Sequence, residues 1–266
     1  MTKIKIINLK ALSILLCSLL MSVSLSASEL KSDAQAIAAA VQQRTLSQQM
    51  LKYYILSGLG VRSRKADQAL QASIGQFEHN QQQLLAYVVD NNSRQQINQL
   101  EQSWQQIKPQ YQVRPAKQQL LALYAANDQL LDQTEQLIQV LQQSNHSEAG
   151  VLIDLSGRQQ MHCAQLSALY GMMAWGYENQ ARSSYLAVYE RFTETLTALN
   201  GAPENTPLIS HSIKALERQI ARVKATAEAS QETYIPGLFD RSIAKVSAKV
   251  NELEQEYLVL SRSIDG

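Results

Sequence analysis

"DLSGRQQMHCAQLSALYGMMAWGY" (residues 154–177) gathers one arginine, one histidine, one cysteine and three methionines in a chain otherwise rich in Gln, Leu and Ala. Within it Leu155, His162, Leu166, Leu169 and Met173 recur at heptad-like spacing, which predicts a helix with one core stripe, apolar except for His162. A shift of 116 residues lays that stripe on Ala39, Leu46, Met50, Tyr53 and Ser57 of "AAAVQQRTLSQQMLKYYILSGLGV" (38–61), which also reads as a core face. His162 then stands where Leu46 does, and Cys163 where Ser47 does.

The same offset pairs Gln43 with Gln159, Gln49 with Gln165, Tyr54 with Tyr170 and Gly60 with Gly176. With small gaps Phe77 falls near Phe192, "LEQSWQQIK" falls on "LERQIARVK", and each half closes on a long Leu-rich or Val-rich segment after a proline. The common order of landmarks points to an internal duplication. Helical period runs through both halves, and no stretch sustains β alternation. Eight helices are expected near 33–60, 64–90, 94–108, 116–143, 147–176, 179–199, 207–233 and 238–263, with Pro109, Pro115, Pro203, Pro207 and Pro236 at the joints. "SDAQ" at Ser32 and "SRQQ" at Ser93 have the form of capping boxes, and Thr206 before Pro207 places an N-cap ahead of an N1 proline. The best joint between the halves is "QSNHSEAG" (143–150), short enough that the halves should be packed together or joined helix to helix. Of the 34 glutamines, 27 precede residue 146, as expected for solvated helix faces in the first half.

Residues 1–28 read as a secretory signal. Lys3, Lys5 and Lys10 supply the basic region, "ALSILLCSLLMSVSLS" the apolar region, and "SLSAS" a cleavage site near residues 26–28. Cleavage would leave 21 Lys+Arg against 23 Asp+Glu, a balance that argues against nucleic acid as a partner. It would also leave Cys163 as the sole cysteine, so no disulfide within the chain is expected and packing must supply stability.

"QQRTLSQQM" (42–50) and "LSGRQQM" (155–161) resemble two eroded copies of the G-R-Q-R-M-L-S-Q-R-M signature of the PilJ-type domain. This is the N-terminal sensor region of type IV pili methyl-accepting chemotaxis transducers, related to the periplasmic domains of NarX/NarQ-type nitrate and nitrite sensors. The resemblance implies an all-α chain of two tandem antiparallel four-helix-bundle repeats, residues 29–145 and 146–266, following the signal peptide of residues 1–28. It further implies a small anion bound between motif helices, a task that suits the planar, permanently charged fork of arginine. Carried over residue by residue, Arg44 falls on the nitrate-contacting arginine, and Gln49 stands where a second arginine is expected. In the second copy Gly157, Arg158, Gln159 and Met161 match, while Gln160 replaces the nitrate-contacting arginine and Gln165 the second. Arg44, Arg158, Gln49 and Gln160 are therefore the candidate ligand-binding set. If the two motif helices pair within the chain as a pseudo-dimer, Arg44 and Arg158 contribute unequal halves of one site that favours a ligand of mixed polarity over a bare anion. The plainer alternative is that carboxylates satisfy both arginines, Asp154 one turn before Arg158 being the nearest.

Met161, His162, Cys163, Met172 and Met173 suggest a soft-metal site for Cu(I). Residues 162 and 163 point about 100° apart on a helix, however, and 161 and 172 lie about three turns apart, so ordinary packing with an internally hydrogen-bonded His162 is expected instead. His79, His146 and His211 show no matching spacing, and no CxxCH is present for haem. No phosphate loop, HExxH or serine elbow appears, so neither a catalytic residue nor a cofactor is expected. The function expected from the sequence is a non-enzymatic periplasmic sensory or ligand-binding module for a small anion or small polar ligand. It would signal through a separate inner-membrane receptor, histidine kinase or cyclase, as a homodimer or an intrachain pseudo-dimer. The competing expectations are a structural or adaptor bundle with a decayed ligand site and, behind it, a copper-binding protein.

Overall fold

The computed structural model describes residues 30–143, 148–229 and 233–264. The expected signal segment (1–28) and the boundary at 145/146 lie outside the described residues. Eight α-helices and one 3-10 turn make up the described residues, with no strand among them. They are α1 (Asp33–Gly58), α2 (Ser63–Tyr87), α3 (Asn91–Gln112), the 3-10 turn (Lys117–Gln119), α4 (Leu120–Gln143), α5 (Glu148–Ala174), α6 (Glu178–Asn200), α7 (Pro207–Ala229) and α8 (Pro236–Ile264). Among the described residues no helix is long and apolar enough to cross a membrane.

The local signals account for most of these bounds. Ser32 caps α1 by accepting from the Gln35 amide, and Gln35 Oε1 reaches back to the Lys31 amide at 2.7 Å. Thr206 Oγ1 accepts from the Ile209 amide ahead of α7. Two expectations need correction. Ser93 is not the cap of α3: Asp90 is, accepting from the Ser93 amide at 2.8 Å, and the helix begins at Asn91. Pro109 is not a joint but lies inside α3, on its exposed side. Continuing the helix one turn past it keeps Tyr111 in the core with Trp104 and Ile107, and that burial outweighs the hydrogen bond proline forfeits.

Helices α1 and α5 form the centre. Hydrogen bonds fix α1 antiparallel to α2 (Gln43 to Phe77, Asn80 to Gln42) and to α4 (Arg44 to Glu135, the Ala116 amide to Tyr54). They fix α5 antiparallel to α8 (Gln160 to Ser247, Ser167 to Asp240), and the short connection after Ala174 together with the Gln159 to Phe192 bond sets α6 antiparallel to α5. Helix α3 packs on α4, and α7 on α8. Among the described residues the most extensive packing joins α1 to α5. Because each central helix is covered on three sides, neither has the one-sided apolar pattern of the outer helices, and polar residues such as Gln43, Arg44, Ser156 and Gln159 are fully buried.

The α1–α5 pair is parallel and in register. A Cβ placed on Gly157 would fall 2.1 Å from Val41 Cγ1, one on Gly171 2.6 Å from Ile55 Cγ2, and one on Gly58 2.0 Å from the Trp175 ring. Gly157 and Gly171 thus face the residues 116 positions before them, and the missing side chains let the helices approach closely. Gly157→Ala is expected to lower stability by up to about 2 kcal/mol. Forcing the stiff Val41 side chain aside costs about 1–3 kcal/mol, of which helix propensity returns about 1. Gly75→Ala in α2, where a Cβ meets nothing within 4 Å, should raise stability by about 0.5–1 kcal/mol. Urea unfolding of both variants checks the pair of opposite signs; two shifts of the same sign would overturn the close-approach argument.

Residues 116 apart also repeat their bonds. Gln43 Nε2 donates to the Phe77 carbonyl (3.3 Å) as Gln159 Nε2 does to that of Phe192 (3.0 Å). Tyr54 Oη accepts from the Ala116 amide (3.1 Å) as Tyr170 Oη does from Ile235 (3.2 Å), and Gly60 and Gly176 both take positive φ, 73° and 92°. The buried faces of α4 and α8 obey the same offset, Leu123 matching Phe239, Leu130 matching Val246 and Leu137 matching Leu253.

Candidate functional site

The side chains most unlike a hydrocarbon core lie where α1 and α5 meet α4. Arg44 is completely buried and its Nη1 donates to Asp154 Oδ1 at 2.7 Å and to both Glu135 oxygens at 3.2 Å. Its Nη2 donates to the Asp154 carbonyl at 3.1 Å; its Nε has no acceptor. Arg158 shares the same two carboxylates, through Nε to Asp154 Oδ2 at 3.1 Å and Nη2 to Glu135 Oε2 at 3.0 Å. Two arginines and two carboxylates therefore form one cluster with no net charge. A buried guanidinium without such partners would be untenable, so the carboxylates are what allow Arg44 to sit at zero exposure. Asp154 was legible as an i,i+4 partner of Arg158, whereas Glu135, 91 residues from Arg44, carried no local signal.

A polar cleft opens on each side of the central pair. One, of about 750 Å³, lies among α1, α2, α5 and α8 and holds Gln49 and Gln160. Gln160 Nε2 donates to the Ser247 carbonyl at 2.8 Å and to Asn251, while its Oε1 accepts from Ser247 Oγ at 2.7 Å. The other, of about 660 Å³, lies among α1, α4, α5 and α6 and holds Arg158, Glu135, His162 and Gln165. The structure thus brings Arg44 and Arg158 together but sets Gln49 and Gln160 on the opposite side of α1 and α5, so the four do not line one cavity.

The offset of 116 residues exchanges the two clefts, and each member of the charged cluster has a neutral counterpart. Arg44 corresponds to Gln160, Glu135 to Asn251, Arg158 to Gln42 and Asp154 to Ala38. Gln42 accepts from Asn80 Nδ2 at 2.8 Å, so that side is built from amide bonds instead of ion pairs. Extending the offset from the motif helices to α4 and α8 is the signal by which Glu135 could have been found from sequence.

His162 lies on the wall of the charged cleft, buried, with its ring 6.3 Å from that of Phe192. Burial, followed by the cations Arg191, Arg44 and Arg158, pushes its pKa down to about 3, so the imidazole is neutral across the ordinary pH range. Its Nδ1 is buried with no hydrogen-bond partner, contrary to the expected internal bond. Burial pushes the Cys163 thiol up to about 12, with Lys52 opposing, which makes it an unreactive core group. No group of three His, Cys, Asp or Glu able to hold a metal ion occurs among the described residues. Although Asp128 is exposed as a residue, its carboxyl at the cleft rim is held above the usual range by desolvation and by Asp132, with Arg191 opposing. Burial likewise raises Glu254 in the amide cleft.

Comparison of the chain with protein-family models, with curated proteins and with solved structures finds no match.

Proposed function

We propose that the chain is a non-enzymatic exported sensory or ligand-binding module of two tandem antiparallel four-helix-bundle repeats, PilJ-like and NarX-like. In this reading residues 29–145 and 146–266 are the repeats, and residues 1–28 are a signal peptide that delivers them to the periplasm. The observation that carries the reading is the parallel, in-register pairing of the two motif helices, with Arg44 buried between them and a polar cleft on either side. A ligand held in either cleft touches both central helices, so it favours one packing of the pair over another. That difference in packing is what a separate membrane receptor, histidine kinase or cyclase would read. Because Asp154 and Glu135 already hold Arg44 and Arg158, the ligand is a small polar molecule that tolerates nearby carboxylates and not a bare anion seated on Arg44.

The test is thermal unfolding of the purified protein against nitrate, nitrite and a panel of small neutral and zwitterionic solutes. At least one solute should raise the Tm in step with the logarithm of its concentration, and Arg158→Ala should reduce the rise. Stabilisation by nothing in the panel would sink the sensor reading. It would leave the structural or adaptor reading, which the same carboxylate cluster favours because an arginine pair closed by acids is what a decayed anion site becomes.

A further inference from the structure

The cleft among α1, α4, α5 and α6 contains polar groups that the ion cluster does not use. Asn127 Nδ2, His162 Nδ1 and Gln165 Oε1 are buried atoms with no hydrogen-bond partner, on residues only 1%, 3% and 9% exposed that all line this cleft. Buried polar atoms are seldom left unpaired, and three around one cleft, Asn127 on α4 and His162 and Gln165 on α5, mark positions that a bound molecule completes. Together they offer a donor (the Asn127 amide), an acceptor (the Gln165 carbonyl) and an imidazole edge.

The rim carries charge as well. Asp128 and Asp132 follow one another by a turn on α4, and Arg191 of α6 acts on Asp128 through space; among the described residues no ion pair joins any of the three. Since Arg44, Arg158, Asp154 and Glu135 cancel, two carboxylates face one guanidinium and the cleft has an excess of negative charge. An anion entering it meets two like charges, while an ammonium group gains both carboxylates in a partly desolvated setting.

We propose that this cleft binds a small organic ammonium compound, an amine or an amino acid, with its ammonium group at Asp128 and Asp132 and its other polar atoms on Asn127, His162 and Gln165. The proposal rests on the reading of the chain as a ligand-binding module and names the chemistry of its ligand. An amino acid would in addition bring a carboxylate to Arg191; a simple amine would not.

Isothermal titration and thermal unfolding of the purified protein at constant ionic strength test it, with 1,4-diaminobutane, L-alanine and L-glutamine as ammonium probes and nitrate and acetate as anions. At least one ammonium probe should give a saturable isotherm and a Tm rise. The double variant Asp128→Asn/Asp132→Asn, nearly isosteric and on exposed positions, should weaken it at least tenfold, and Gln68→Ala on the exposed side of α2 should leave it unchanged. Which probes respond separates amine from amino acid, the latter also losing affinity on Arg191→Gln. Ammonium binding indifferent to the double variant overturns the proposal. Binding of anions alone overturns it too, while leaving the module reading intact; binding by no probe and by no member of the wider solute panel removes both.

Discussion

Asp154→Ala is expected to lower the unfolding free energy by about 3–5 kcal/mol, because it strips a fully buried arginine of its shortest ion pair. Glu135 remains, but it must then serve Arg44 and Arg158 alone, and the cluster passes from neutral to a net positive charge inside the helix packing. The loss measures the penalty of an uncompensated charge and not the net worth of the pair, since an isolated ion is far costlier to bury than a matched set. The double variant Arg44→Met/Asp154→Leu should therefore recover at least half of it, which a double-mutant cycle by urea unfolding would read. A loss below about 1 kcal/mol for Asp154→Ala would mean that the guanidinium finds water or another acceptor, and the closed cluster would have to be abandoned.

His162→Leu is expected to remove most of the acid sensitivity that the central pair contributes. The folded pKa of about 3 lies below the unfolded value of 6.5, so the unfolded chain binds a proton that the folded one refuses. The associated stability is fully present above about pH 6.5 and is lost at about 1.4 kcal/mol per pH unit as the pH falls toward 3. Between pH 7 and pH 5 this one residue should cost the parent about 2 kcal/mol that the variant keeps. Leucine suits the position because Leu46 occupies the equivalent place in α1, and the exchange also eliminates the unpartnered Nδ1. Protonation of the remaining groups is common to both proteins, so the comparison of urea midpoints at the two pH values isolates the histidine. Equal losses in parent and variant would show that the imidazole reaches solvent in the folded state.

Both experiments probe contacts that the sequence disclosed only in part. Asp154 beside Arg158 is an i,i+4 relation within one helix, and helical geometry alone brings such residues together. Arg44 with Glu135 depends on how α4 is rotated against α1, which no spacing inside either segment specifies. The packing of α1 on α5 turns Gln49 and Gln160 to one cleft and Arg158 to the other, although in sequence all three belong to the two copies of one motif. His162 was legible as a core-stripe residue because its helical phase and its match with Leu46 are local facts. That its Nδ1 would lack a partner was not, since that follows from which side chains the packed helices bring against it.

The sequence by itself determined the helices, most of their limits to within two residues, and the duplication. Helical period, capping residues and most of the prolines act over a few residues, and the offset of 116 residues survives in the buried positions of α1, α4, α5 and α8. The parallel seating of α1 on α5, the carboxylates that close around Arg44, and the division of the polar residues between two unlike clefts were decided only by the tertiary structure. Helical phase sets which face of a helix is apolar, but the partner of a buried polar group is chosen by the register and rotation of helices far apart in the chain.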